Sequence, residues 1–243
     1  MNEFILILTI LCLILFRHWW GPYWLYQYLY VTHKAKWREA KIQPKEPLAR
    51  TIDQDIKRSY SSIIVDLAIV LVLYLQFFYS YSKLNLNFSF TWGSLLGSLG
   101  FIFLLFLLQD FYFFLTHWLF HQGILYKKLH SVHHQSTNPT PWTSFSHHWL
   151  ELFIELCFYP LVLFFLPIPL FVLMYYIFLT SIINFLGHSG FEYKYLSLAK
   201  FKGLNWIATF TFHNRHHQFF HGNYSLYFNI WDRIFGTTIR RNE

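Results

Sequence analysis

The chain has 243 residues and a net charge of +7, yet only 13% of its residues are charged while 55% are apolar and 23% aromatic. Apolar runs of this density exclude an ordinary soluble domain and describe a chain dissolved in lipid. The basic excess sits in the loops between those runs, which argues for membrane topology and against a nucleic-acid partner.

The first apolar run, Phe4 to Phe16, follows Glu3 rather than a basic segment and has no small-residue cleavage site after it, so an uncleaved span is expected in place of a signal peptide. It is shorter than the roughly 20 residues of a full crossing, and a half-inserted helix stays open. Arg17-His18-Trp19-Trp20 reads as an interfacial anchor, with His18 and His33 solvated or at the interface. A second span is predicted over Ile63 to Tyr79. A third runs over Leu95 to Leu115, its helix continuing to His121. Leu150 to Leu166 and Leu170 to Leu186 are separated only by Pro167-Ile168-Pro169 and read as a helical hairpin, since prolines so spaced stop a helix and permit a reversal. Cys12 and Cys157 both lie in apolar runs, which argues against a disulfide framework. The expected fold is an all-α integral membrane bundle.

Lys and Arg orient it. Residues 17–58 carry nine of them, 80–94 only Lys83, and 187–243 seven. Basic loops stay on the cytoplasmic side, so both basic segments are expected there. Twelve of the fourteen histidines then fall at the cytoplasmic ends of the third, fourth and fifth spans. The basic-residue pattern that orients the chain does not involve them, so their convergence is independent support for one histidine-rich cap.

Their spacing has a chemical meaning. "HWLFH" puts His117 and His121 on one helical face about 6 Å apart along the axis. "HSVHH" gives His130, His133 and His134, "HNRHH" repeats that pattern at His213, His216 and His217, and His188 lies between them in "NFLGHSG". Neutral imidazole binds iron, zinc, copper and nickel well. These nine histidines exceed what one ion uses and suit two. His147, His148 and His221 read as supporting or structural residues. Glu151 and Glu155, one turn apart, would suit a carboxylate-bridged metal pair but rank behind the histidines.

The ordered boxes H-x3-H, H-x2-H-H and a final H-x2-H-H after a transmembrane hairpin resemble the fatty acid hydroxylase/sterol desaturase superfamily of integral membrane di-iron oxidoreductases. "DFYFFLTHWLFH", Asp110 to His121, is similar to the family's first box, and "NYSLYFNIWDRIFGT", Asn223 to Thr237, to its C-terminal signature. The three residues between the first two histidines favour this branch over the acyl-CoA desaturases, which usually have four. Trp118 replaces a usual arginine and Ser225 a usual glycine. The resemblance implies a catalytic domain over 92–238, preceded by membrane spans and a basic loop over 1–91 and followed by a tail over 239–243. It implies two iron ions (Fe2+/Fe3+), with zinc as a substitute in purified protein, bound by His117, His121, His130, His133, His134, His188, His213, His216 and His217. Asp110 and Asp232 would orient imidazole N–H groups, Asp110 being otherwise a polar residue of an interfacial helix turn and Asp232 having Arg233 as an alternative partner or a turn to cap, and Asn184 would assist near His188. The implied reaction is O2-dependent hydroxylation or desaturation of a lipid C–H bond, the lipid entering sideways from the bilayer. Electrons would come from an external donor protein, because the chain has neither a glycine-rich dinucleotide fingerprint nor a cysteine set for an iron–sulfur cluster.

Two competing classes are a metal-binding or metal-transporting membrane protein and a bis-histidine haem protein. The first needs ionisable residues lining a path through the bilayer, and Asp66 is the one charge well inside a predicted span. The second needs single histidines facing each other on two spans. Clustered triplets at one edge of the membrane fit neither.

Overall fold

The computed structural model describes residues 3–85, 92–193, 201 and 203–239. Among them four helical stretches are long and apolar enough to cross a membrane: α1 (Ile5–Thr32), α2 (Ala49–Phe78), α3 (Gly93–Phe120) and α7 (Leu170–His188). Shorter helices fill the chain between and after these: α4 (Gly123–Lys128), α5 (Trp149–Leu156), α6 (Phe158–Phe165), α8 (Phe210–Phe219) and α9 (Ile230–Phe235). Among the described residues extended backbone pairs only at isolated bridges, such as Lys41 with Phe191.

The first span is longer than its leading apolar run. Helix continues through Arg17 to Thr32, with π-helical turns at Phe16–Trp20 and Gln27–Thr32. Pro22 has no N–H to give the ladder, and the helix widens just before it, the Gly21 N–H reaching back to the Phe16 carbonyl. The expected interfacial anchor is therefore corrected. Trp19 and Trp20 are exposed, but Arg17 and His18 are buried in the bundle. Both contact Asp66 Oδ2 on α2, Arg17 Nη1 at 2.8 Å and His18 Nε2 at 3.0 Å. A charge inside a span is tolerated when it is paired and faces the interior. His33 is exposed beside the Tyr28 ring.

The predicted fourth span is broken. Pro160 withholds the N–H that would bind the Leu156 carbonyl, and the helix divides at Cys157 into α5 and α6. The two halves still pack as one wall: Leu152, Leu156, Phe158, Tyr159, Val162 and Leu163 are buried against Val65 and Ile69 of α2, Leu105 of α3 and Tyr176 of α7. Between lipid-exposed helices such packing, rather than release of water, holds the bundle.

The proline reversal occurs where expected, with Ile168 fully buried. Backbone after α2 closes over it, Lys83 N–H bonding the Leu163 carbonyl and Asn85 exchanging bonds with Ile168 and Leu170. This end of the hairpin lies away from the histidines, which gather at the opposite end. There Asp55, buried on α2, accepts from the hydroxyls of Ser136, Thr143 and Ser146 at 2.7–2.8 Å. It ties the loop before α5 to the N-terminal pair of helices. Of the seven basic residues after Gly187, Lys194, Lys200, Lys202, Arg240 and Arg241 lie outside the described residues, as does most of the 239–243 tail.

Candidate metal centre

The histidines reach the site from four places. His117 and His121 end α3, His130, His133 and His134 sit on a 3-10 turn after α4, His188 ends α7, and His213, His216 and His217 lie along α8. They sort into two groups. His117, His121, His130, His134 and His216 form one, and His133, His188, His213 and His217 the other, with one ring nitrogen of each residue within 4.8 Å of the rest of its group. The H-x2-H-H boxes are split between the groups: His133 faces one and its neighbour His134 the other, and likewise His217 and His216.

The rings are held from behind. The Nδ1–H groups of His117, His216, His217, His188 and His133 donate to the backbone carbonyls of Tyr224 (2.8 Å), Gly222 (2.8 Å), Ser136 (3.1 Å), Asn184 (3.0 Å) and Ser146 (3.2 Å). His130 donates instead to Glu151 Oε1 at 2.6 Å. A committed Nδ1–H fixes the tautomer and leaves the Nε2 lone pair pointing inward. Those bare nitrogens crowd together: His117 and His130 stand 3.0 Å apart at Nε2, His134 and His216 3.0 Å, and His188 and His213 2.9 Å. Lone pairs at that spacing repel unless a cation lies among them. His134 and His213, one in each group, have a buried Nδ1 without any partner. Nitrogens about 2.1 Å from one ion stand about 3.0 Å apart at right angles and about 3.4 Å apart at tetrahedral angles. The closest spacings in the two groups, 2.9–3.2 Å, match nitrogens gathered around a single ion at such a distance.

Electrostatics agree. Burial first, and then the neighbouring imidazoles, holds His133, His134, His213 and His217 well below the usual histidine range. Burial takes His216 down to about 3. These rings stay neutral, which is the form that binds metal.

Residues around the two groups depart from expectation. Asp110 and Asp232 do not orient imidazoles directly. Asp110 accepts from the backbone N–H groups of Leu226, Tyr227 and Phe228 at 2.6–3.2 Å, and Asp232 from those of Tyr224 and Ser225 at 2.8 Å and from the Thr237 hydroxyl. Arg233 turns away from Asp232 to the Asn205 carbonyl. The two carboxylates fold the 224–228 loop, whose Tyr224 carbonyl then holds His117. Asn184 spends its side-chain amide on the Ser144 carbonyl at 3.0 Å, and it is the Asn184 backbone oxygen that meets His188. Glu151 and Glu155 lie in neither group. The carboxylate that orients an imidazole is Glu151, and the i, i+4 spacing of His147 and Glu151 was the available signal. His147 bonds Glu151 at 2.9 Å and stacks on His133 with centroids 4.2 Å apart. Burial opposes its charge, but Glu155 and Glu151 outweigh it and raise His147 to about 9. His148 caps α5 and His221 is exposed beside the Phe219 carbonyl. Trp118 is also exposed. Gly222, at φ +79°, admits no side chain because a Cβ would collide with the Thr237 carbonyl. A cavity of about 60 Å³ opens beside the two groups, between Tyr112, Phe113 and Leu152 and the polar Arg17, Thr180 and Ser181.

A helical bundle with membrane-length helices and two adjacent histidine groups, each able to hold a metal ion, sets the class of protein. Within it, the chain belongs to the fatty acid hydroxylase family, whose profile matches residues 102–237. Methylsterol monooxygenase erg25A of Aspergillus fumigatus is 31% identical over 145 residues, 56% of this chain and 46% of the relative. Human lathosterol oxidase is 30% identical over 128 residues, 53% of this chain and 41% of the relative. The very-long-chain aldehyde decarbonylase GL1-6 of Oryza sativa subsp. indica is 31% identical over 147 residues, 55% of this chain and 22% of the relative. The chain spans about half the length of the curated relatives it matches first. No solved structure matches it.

Proposed function

We propose that the chain is a membrane-bound di-iron oxidoreductase that uses O2 to hydroxylate or desaturate a C–H bond of a lipid, a sterol in the first instance. Family membership and the sterol-oxidising names of two relatives support the chemistry and the substrate class. The observation that carries the reading is the pair of cages with inward, unprotonated Nε2 atoms. His117, His121, His130, His134 and His216 would hold one iron, and His133, His188, His213 and His217 the other. Bound iron supplies the activation of O2 that no side chain can perform. Hydroxylation consumes the lipid C–H, O2, two electrons and two protons and yields an alcohol and water, so an external electron donor is required.

The chain's own groups prepare that chemistry. Carbonyls and Glu151 fix the ring orientations, Asp110 and Asp232 hold the loop behind His117, and Phe113, Leu152 and Leu156 line the apolar side of the cavity. The 92–238 segment forms the catalytic unit and the N-terminal helices brace it. The basic loops support a cytoplasmic placement of the cages. The test is metal analysis of the purified protein, followed by incubation with a sterol, O2 and a reductant. Two irons per chain and an oxidised sterol are expected, and zinc loading should give an inert protein. A chain that holds iron but oxidises no lipid would sink the proposal.

A further inference from the structure

Between two of its membrane-length helices the chain carries a second space. A groove of about 460 Å³ runs between α1 and α7, lined by Phe16, Trp20, Gly21, Trp24, Leu25, Ile182, Phe185 and Leu186. That volume falls in the range of about 300–1,000 Å³ typical of small-molecule sites. The inner cavity beside the cages, about 60 Å³, falls far below that range. No lipid fits there as it stands.

The two spaces share one wall. On α1, Phe16 faces the groove and Arg17 the cavity; on α7, Ile182 and Phe185 face the groove while Ser181 and Asn184 face the cavity. Phe185 closes the gap, with its ring 5.6 Å from Phe16 and 5.9 Å from Phe145, which itself lines the cavity. Gly21 permits this closure, since a Cβ there would collide with the Phe185 ring. The π-helical turn of α1 lies at the same level, and such turns concentrate at functional sites.

We propose that this groove is the sterol's entrance from the bilayer and that the Phe185 ring is the gate between it and the cages. The lining contains no charged side chain, and its side-chain polar groups are the indole N–H groups of Trp20 and Trp24, so it suits the apolar body of a lipid rather than a charged headgroup. Its flat aromatic faces, Phe16, Trp20, Trp24 and Phe185, match a rigid ring system better than a flexible chain. The proposal rests on the sterol-oxidising reading above, and α1 supplies half of the groove from outside the family-matched segment.

The test uses the full chain in phosphatidylcholine vesicles with a diazirine-bearing sterol. Photocrosslinks should map to 16–25 and 182–186 and be competed by unlabelled sterol but not by palmitate. Ile182→Trp, which fills the groove, should cut crosslink yield at least 10-fold and raise KM for the sterol at least 10-fold, with metal content unchanged. Ile182→Ala should keep wild-type crosslinking. Crosslinks elsewhere, competition by palmitate, or a wild-type KM in a fully metallated Ile182→Trp would overturn the proposal. Should Ile182→Trp fail to fold, the wild-type crosslink map decides alone. Crosslinking reads occupancy without turnover: groove labelling without product defeats the enzymatic reading, and product without groove labelling defeats the groove.

Discussion

The two imidazole cages are built from the same boxes but are not equivalent. The first has five rings, one of them, His121, only partly buried, and its His130 is backed by the Glu151 carboxylate. The second has four rings, all buried; neutral backbone carbonyls stand behind His133, His188 and His217, and the Nδ1 of His213 has no partner. A carboxylate behind an imidazole makes it a stronger donor. The first cage therefore has both a spare ligand and extra negative charge, and the second has neither. Two sites with the same ligand type should then differ in how firmly they keep an ion.

The largest expected effect separates them directly. His217→Ala leaves three rings in the second cage and should lose one ion per chain and abolish turnover. His121→Ala leaves four in the first and should keep both ions with turnover reduced about 10-fold. Metal stoichiometry and product formation check this, and equal losses in both variants would break the distinction. Next, Glu151→Gln should weaken metal binding about 10–100-fold in the first cage alone, seen as one ion lost to a chelator well before the other.

The pH dependence is expected to be smaller but two-sided. Cage imidazoles have lowered folded values, so their contribution to stability is complete above the unfolded value of about 6.5. It is lost as the pH falls toward 3, the value for His216. His147 has the opposite sign: its contribution is complete below about 6.5 and disappears as the pH rises through about 9. Thermal unfolding across pH should therefore show a maximum near neutrality, and His147→Gln should flatten only the alkaline side. The smallest effect belongs to Asp110→Asn, which leaves backbone donors of the 226–228 segment short of an acceptor. A loss of about 1–3 kcal/mol is expected, read as a lower melting temperature with both ions retained.

Helix class, the proline reversal and the nine cage histidines were all readable from spacing, because apolar runs and box periods report directly on local geometry. The partition into cages was not. It depends on how the 3-10 turn at His130–Gln135 and helix α8 are set against each other, so that the adjacent rings of each box reach different groups. Arg17 and His18 were misplaced for a related reason: charge beside two tryptophans resembles an interface until Asp66, forty-eight residues or more away in sequence, supplies a partner. The break in the fourth span was written in Pro160 and outweighed by the length of the apolar run. Asp110 and Asp232 were recognised as important, but backbone acceptors cannot be inferred from residue type, so their action through the 224–228 loop needed coordinates.

The bond between Arg17 and Asp66 also bears on biosynthesis. An arginine at the centre of a lone helix costs about 2.5–3.5 kcal/mol to insert, so α1 emerging by itself would be a poor membrane segment. Once α2 arrives, the guanidinium finds its counter-ion and the cost is largely offset. Helix α1 should therefore settle in the bilayer only together with α2, and Asp66→Ala should leave newly made chains with α1 misplaced before any metal has been acquired.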